Sequence, residues 1–473
     1  MNAQADGLAA DSALAEPSAA NNLNAPAGPV AQGERISSVD VLRGFALLGI
    51  LVMNIGDYAL PEGFDYNPTI LGATGLGPLG KSSLLLWAVR FILFEGKMRA
   101  LFSMLFGAGV ILLTSRLEKR GGAAISGDIF ARRNLWLVLF GVLHAYFLWW
   151  GDILYFYGMT ALLFLYSCRK LKARTLLMAG AVVVLCLAGY RTIRLESRLH
   201  LAQRAETAKR LQTGGQAISD EQKEDIKTWD KIVSRSHPDP KELEQEIAEM
   251  RGGYGSVFQH NAPIVIDEQG AGYYKFGFFD SLGMMLLGMG LLQAGFLSGQ
   301  LSYRAYGWIA VIGYALGLPL GAVSTWQAWR HNFEPLALLQ WEFLPYDLQR
   351  VFVGMAHAAV VLIIVKAGAL KWITKPLAAV GQTALSNYLG TTVICTLIFD
   401  GWGLGLFGRM PFYRLFYLVA AIWAVNLVAS TMWLKYFRFG PLEWVWRSLT
   451  YWKAQPLRRA ETATEAGVVA LEG

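Results

Sequence analysis

Charge is scarce in this chain. Asp, Glu, Lys and Arg together make up 16% of its 473 residues, while 54% are hydrophobic and the mean hydropathy is +0.36. Soluble domains carry about 25% charged residues, so the deficit excludes an ordinary water-solvated globule. Cysteine is also sparse. Cys168, Cys186 and Cys395 stand singly within or beside apolar stretches. They have neither CxxC nor metal-ligand spacing, which excludes a disulfide framework and predicts small core residues and no metal. The first 34 residues hold no Lys or Arg and no apolar run, so the basic and apolar regions of a cleaved signal are missing. Ala, Asn, Pro and Gly dominate there, with Asp6, Asp11, Glu16 and Glu34, which predicts a disordered tail.

What the chain does contain is apolar blocks of membrane length. Residues 135–150, 176–190, 282–297, 351–365 and 412–434 each approach or exceed what a hydrocarbon core of roughly 30 Å requires at 1.5 Å per residue. Trp149 and Trp150, Trp326 and Trp329, and Trp444 and Trp446 sit at block ends, where an interfacial aromatic belt belongs. The net charge of +7 is spread over short loops between the blocks, so it reads as a topology signal and not as a nucleic-acid surface. The expected fold is all-α, a polytopic transmembrane bundle of about ten spans.

Basic loops are expected on the cytoplasmic side. Stretches 116–133, 169–174, 366–375 and the C-terminal segment from Lys435 to Arg459 are rich in Lys and Arg; 151–153, 324–349 and 400–411 are poor. This alternation places the C-terminus inside. The block around 84–94 is short and carries Arg90, so 82–95 is read as an interfacial or re-entrant helix, which puts both termini in the cytoplasm of a bacterial inner membrane. Segment 191–275 is polar, with thirteen basic and fourteen acidic residues, a near balance that lets it cross to the outside. Ser219 with Gln222, and Asp239-Pro240 with Glu242, are helix-start signals there, and Gly252-Gly253 is a stop. The expected organisation is a tail (1–34), a transmembrane half (35–190), a helical periplasmic insertion (191–275), a second transmembrane half (276–453) and a tail (454–473). No internal repeat is evident.

Ionisable groups at membrane depth mark functional candidates. Asp40 and Arg43, an i, i+3 pair at the inner end of the first helix, form either a cap with a snorkelling arginine or a clamp for an anionic ligand. His144 is either a neutral ring bonded to its surroundings or a general base. It cannot pair with Asp152, eight residues on, unless the chain breaks at Gly151 and folds back. His357 has no polar flank and favours a structural role. Asn387, within Gly381-Gln382-Thr383-Ala384-Leu385-Ser386-Asn387-Tyr388, and Asn54 in the first helix read as interhelical bridges or as donors to substrate. Lys97 and Arg99 either snorkel at the outer face or line a substrate entrance.

Several of these stretches resemble one family. They are Ser38-Val39-Asp40-Val41-Leu42-Arg43-Gly44 with Met53-Asn54-Ile55, Lys97 followed by Leu101-Phe102-Ser103-Met104-Leu105-Phe106-Gly107-Ala108-Gly109, His144 with Gly151-Asp152-Ile153-Leu154, and Phe439-Gly440-Pro441-Leu442-Glu443-Trp444. In this order, from about Arg35 to Lys453, they resemble the YeiB-like family of bacterial membrane proteins, a domain of unknown function. That family looks like a branch of the transmembrane acyltransferases, among them lysosomal heparan-α-glucosaminide N-acetyltransferase. The resemblance implies acyl-CoA, with acetyl-CoA the expected donor, and an extracytoplasmic glycan or lipid acceptor. The heparan enzyme uses a histidine shortly after the first helix. Here 56–81 contains none and holds only Asp57 and Asp65 as Asp residues, so His144 is the available substitute.

Three functional readings follow. In the enzyme, Arg43 engages the anionic donor with Asp40 orienting it, His144 with Asp152 deprotonates the acceptor, Asn54 or Asn387 donates to the oxyanion, and Lys97, Arg99 and His357 contact substrate. The alternative is a proton-coupled transporter of a small molecule or lipid, with His144 and Asp152 as relay. The weakest is a scaffold whose partner docks on the insertion. The partners expected are the lipid bilayer, acyl-CoA and the acceptor, with no nucleic acid; assembly as a homo-oligomer is left open.

Overall fold

The computed structural model describes residues 37–70, 80–119, 122 and 125–459; the N-terminal tail expected over 1–34 and most of the C-terminal one lie outside them. The described chain is helical throughout: α1 (Ser37–Ala59), α2 (Lys81–Leu93), α3 (Lys97–Lys119), α4 (Ser126–Phe147), α5 (Leu154–Cys168), α6 (Ala173–Thr213), α7 (Asp220–Ser234), α8 (Pro240–Met250), α9 (Tyr254–Gln293), α10 (Tyr303–Arg330), α11 (Pro335–Lys366), α12 (Lys371–Gln382), α13 (Ala384–Phe399), α14 (Phe412–Tyr436) and α15 (Pro441–Tyr451). No strand is present among these residues; one antiparallel bridge, Phe437 with Arg458, lays the chain after α15 against the end of α14. Residues 454–459 are therefore ordered, although the sequence placed them in a tail.

By length and composition, seven helical stretches are able to cross a membrane: Ser37–Ala59, Lys81–Lys119, Ala173–Thr213, Tyr254–Gln293, Tyr303–Arg330, Tyr346–Lys366 and Phe412–Tyr436. The sequence led to an expectation of about ten. The apolar helices α5 and α13 are shorter, and α4 carries Arg132 and Arg133 along its length, which separates these three from the seven. The protein is a multi-pass membrane protein. Its helices are not equally placed. The apolar window of α1 is 83% buried, against 22–28% for those of α6, α10 and α14. α1 is thus the axis of the bundle. Trp308, Val311 and Ile312 of α10 and Tyr417, Val425 and Val428 of α14 point outward, as lipid-facing side chains do.

Two close approaches set the geometry. α1 crosses α12 where Gly44 and Gly381 meet: a Cβ on Gly44 would lie 2.0 Å from Leu377 O, and one on Gly381 would lie 1.9 Å from Asp40 O. Only glycine lets these backbones touch. The same holds at Gly141 of α4, where a Cβ would lie 2.2 Å from Tyr155 N at the start of α5. α5 therefore folds back along α4.

α2 is a 13-residue helix joined to α3 by the turn at Gly96 (φ +71°). Its Arg90, the residue that argued against a simple span, is buried and bonded within the protein. The polar segment continues from an apolar helix without a break, since α6 runs from Ala173 through residue 190 to Thr213. The local signals read in it hold. Ser219 and Gln222 form a capping box on α7, and Asp239 accepts from Lys241 N with Pro240 at the first turn of α8. This segment covers the chain just past the Ala59 end of α1, where Glu62 N donates to Glu246 Oε1 at 3.0 Å and Asn67 Nδ2 to Ser236 O at 2.9 Å. The loop after α13 joins the same cap, Gly408 N donating to Ala59 O and Gly401 N to Met250 O, each at 2.8 Å.

Asp400 lies in that seam. It is 3% exposed and accepts from Trp402 Nε1 at 3.1 Å. Burial pushes its carboxyl up from the ordinary 3.8 to about 7. Below about pH 4 the folded and unfolded chains both hold the proton. Between there and about pH 7 only the folded chain does, so stability falls as pH rises, by on the order of 4 kcal/mol in all. Unfolding temperatures of detergent-solubilised protein should accordingly drop from pH 4 to pH 7, and Asp400→Asn should flatten that slope. Equal slopes for the two proteins would contradict this account.

Candidate functional site

Two cavities open along α1, one near each end. The first, about 230 Å³, lies beside the α1–α12 crossing and is lined by Asp40, Arg43, Arg116, Arg133, Glu443 and Arg447, with Phe102, Phe106, Leu137, Leu154, Tyr157 and Tyr388 deeper in. Four guanidiniums thus face two carboxylates among the described residues. Both carboxylates are committed. Asp40 Oδ1 accepts from Arg43 Nη1 at 3.0 Å. Glu443 accepts from Leu385 N (2.6 Å), Ser386 N (3.1 Å) and Ser386 Oγ (2.5 Å), capping the start of α13. Arg43 Nη1 also donates to Gly381 O at 3.4 Å, a contact that the glycine crossing permits. Arg133 stacks on Trp446 at 3.7 Å, while Trp446 Nε1 donates to Arg133 O at 2.8 Å. Arg133 has no carboxylate in ion-pair range among the described residues and feels the repulsion of Arg447 and Arg43. The cavity joins an arginine-rich lining to apolar and aromatic walls.

The second cavity, about 360 Å³, lies at the capped end. It is lined by Asn54, Asp57, Asp65, Glu95, Asp152, Glu268 and Asp280, with Arg99, Arg191, Ser103, Trp149 and Tyr157. Here carboxylates outnumber cations. Tyr157 lines both cavities and its hydroxyl lies 2.6 Å from Ser103 Oγ, so this phenol is part of the wall between them. Arg99 Nη2 lies 3.7 Å from Asp280, and Arg350, 1% exposed, pairs with both Asp280 and Asp347.

His144 and Asp152 do form a pair: Nδ1 lies 2.9 Å from Oδ1, because the chain leaves α4 at Leu148 and α5 folds back over Gly141. The pair belongs to a longer chain. His144 Nε2 lies 3.0 Å from Thr392 Oγ1, which lies 2.9 Å from the Tyr58 hydroxyl, and Asp152 Oδ2 accepts from Tyr155 N at 2.7 Å. Both ring nitrogens are thus occupied. The ring is 2% exposed and lines neither cavity. This network ties α1, α4, α5 and α13 together.

The other sequence candidates divide. Asn54 and Arg99 line the second cavity. Asn387 donates to Thr383 Oγ1 and Ser430 Oγ, both at 2.8 Å, and bridges α13 to α14. His357 lies between the Tyr314 hydroxyl (2.7 Å) and Leu93 O (2.9 Å). Lys97 does not snorkel: it is 1% exposed and donates to Phe91 O at 2.7 Å. Asn387, His357 and Lys97 line neither cavity. Sequence reading missed the cavity roles of Arg116, Arg133 and Arg447, which it took for topological charge, and of Glu443. It noted Asp57 and Asp65 but gave them no role.

A family model described as "Protein of unknown function (DUF418)" matches residues 291–453. The chain is 31% identical over 432 residues to "Uncharacterized protein YeiB" of Escherichia coli (strain K12), covering 89% of this chain and 98% of that protein. It is 27% identical over 450 residues to "Uncharacterized protein YxaH" of Bacillus subtilis (strain 168), covering 91% and 98%. No solved structure matches.

Proposed function

The chain belongs to the YeiB-like family of bacterial membrane proteins, and within that frame we propose a transmembrane acyltransferase that takes an acyl group from acyl-CoA and passes it to an acceptor hydroxyl or amine on the opposite face. The observation that carries this reading is the pair of cavities. One is arginine-lined and suits the phosphates of an acyl-CoA, the acetyl form being the smallest; the other is rich in carboxylates and suits a nucleophile that must lose a proton. Arg116, Arg133 and Arg447 belong to the basic stretches expected on the cytoplasmic side, where acyl-CoA resides. The capped cavity then faces outward, towards a glycan or lipid acceptor. The walls of Phe102, Phe106, Leu137 and Leu154 keep the thioester path apolar, which protects it from water.

A proton-coupled transporter would use the same two cavities in alternation. It would route protons through His144 and Asp152, yet that ring opens on neither cavity. The discriminating measurement is acetyl-CoA binding by purified protein in nanodiscs. Saturable binding that is lost in Arg133→Gln supports the enzyme; no binding, with or without candidate acceptors, rejects it. In spheroplasts, a cysteine introduced by Gly214→Cys should react with an impermeant maleimide, and one introduced by Lys170→Cys should not. The reverse pattern would invert the assignment of the two cavities.

A further inference from the structure

Asp57 lies one turn after Asn54 on the same face of α1, and both line the capped cavity. Asp57 and Asp65 line the same cavity, near enough that the charge of each acts on the other. Asp65 is held in turn by Arg90 Nη1 at 2.8 Å. Arg90 is 2% exposed, and its Nε donates to Met53 O at 2.9 Å, so Asp65 rests on a fixed cation. Two neighbouring carboxyls disfavour a second negative charge, so such a pair readily takes up a proton. Asp57 is the member of the pair without a cation in ion-pair range among the described residues.

One buried, unsatisfied donor and one half-buried amide share this volume. Trp149 lines the cavity, is 4% exposed, and its Nε1 has no hydrogen-bond partner among the described residues. The Asn54 amide also lacks a partner among the described residues. A buried donor left unpaired costs roughly 1–3 kcal/mol, a cost that an incoming oxygen atom would offset. A carboxyl pair beside free donors is the equipment for adding a nucleophile to a carbonyl.

We propose that Asp57, backed by Asp65 and Arg90, accepts the proton of the amine or hydroxyl that receives the acyl group, with Asn54 and Trp149 donating hydrogen bonds to oxygen atoms at the reacting centre. This rests on the acyl-transfer reading and moves the proton chemistry from His144 to the end of α1. As the acceptor's oxygen or nitrogen bonds to the acyl carbon, its proton passes to the carboxyl pair. The carbon–sulfur bond breaks, and the departing thiolate takes a proton from water on the donor side. The pair then returns its proton to water on the capped side. No atom changes oxidation state.

The test uses full-length protein in nanodiscs with acetyl-CoA as donor and water, ethanolamine and hydroxylamine as probe acceptors, with free CoA as the readout. Asp57→Asn should lower ethanolamine-dependent CoA release by roughly 10²–10⁴-fold and leave acetyl-CoA affinity unchanged. Hydroxylamine, already unprotonated at neutral pH, should restore most of the rate, and Asp57→Glu should retain part of it. Wild-type rates in Asp57→Asn would overturn the proposal. So would equal losses with ethanolamine and hydroxylamine, or a loss of acetyl-CoA affinity, because either marks a structural role. Wild-type protein that binds acetyl-CoA but releases no CoA with any probe overturns it as well. Failure of wild-type protein to bind acetyl-CoA instead removes the acyl-transfer reading, and this proposal with it.

Discussion

His144→Ala should destabilise the folded protein by about 2–6 kcal/mol, because it leaves two buried partners, Asp152 and Thr392, without a hydrogen bond at roughly 1–3 kcal/mol each. Asp152 is 5% exposed, and its Oδ1 would lose the imidazole that now lies 2.9 Å away. Thr392 and Tyr58 would lose the end of their hydrogen-bonded chain at the same time. Asp152→Asn should cost less, about 1–3 kcal/mol. The amide keeps the shape and one acceptor oxygen, but its NH2 accepts nothing, so one of the two contacts, to His144 Nδ1 or to Tyr155 N, loses its acceptor. Thermal unfolding of the detergent-solubilised variants measures both effects. A His144→Ala protein as stable as wild type but without turnover would show that the ring does chemistry and does not serve as a tie between helices.

Arg43→Lys should weaken acetyl-CoA binding by roughly 10- to 150-fold, the equivalent of one charged hydrogen bond at about 1.5–3 kcal/mol. Arg43 spends Nη1 on Asp40 and Gly381 O. Its Nε and Nη2 have no partner among the described residues, and the side chain is 26% exposed at the cavity. A phosphate there can accept from the free edge of the fork. Lysine keeps the charge but loses the planar pair of donors. Asp40→Asn should weaken binding less, because it only loosens the orientation of Arg43. Neither change should unfold the protein, since both side chains reach solvent-accessible space. Isothermal titration with acetyl-CoA gives the ratio. An Arg43→Lys protein with wild-type affinity would remove Arg43 from the donor site.

Much of the architecture was legible in one dimension because lipid makes it so. In a bilayer each helix satisfies its own backbone hydrogen bonds, so every span must be written as a contiguous apolar block. The blocks at 176–190, 282–297, 351–365 and 412–434, which fall mainly in α6, α9, α11 and α14, could be read for that reason. The start signals at Ser219 and Asp239 were equally local, since a cap involves residues within one turn. Asp40 and Arg43 were found for the same reason, being neighbours on one helix face.

The site was a different matter. Arg43, Arg116, Arg133 and Arg447 come from four helices or helix ends, and nothing in their spacing says that they share one cavity. His144 and Asp152 pair only because α5 starts against Gly141, a contact between backbones that leaves no periodicity to detect. Lys97, a surface candidate by sequence, is buried because α2 turns back into the bundle and offers it the Phe91 carbonyl. The sequence by itself determined a membrane-spanning helical bundle and the chemical groups available to it, because hydropathy and capping act over one turn or one block. Which groups meet was decided by the tertiary structure alone, because helix crossings depend on where small residues on separate helices coincide, and that coincidence exists only in three dimensions.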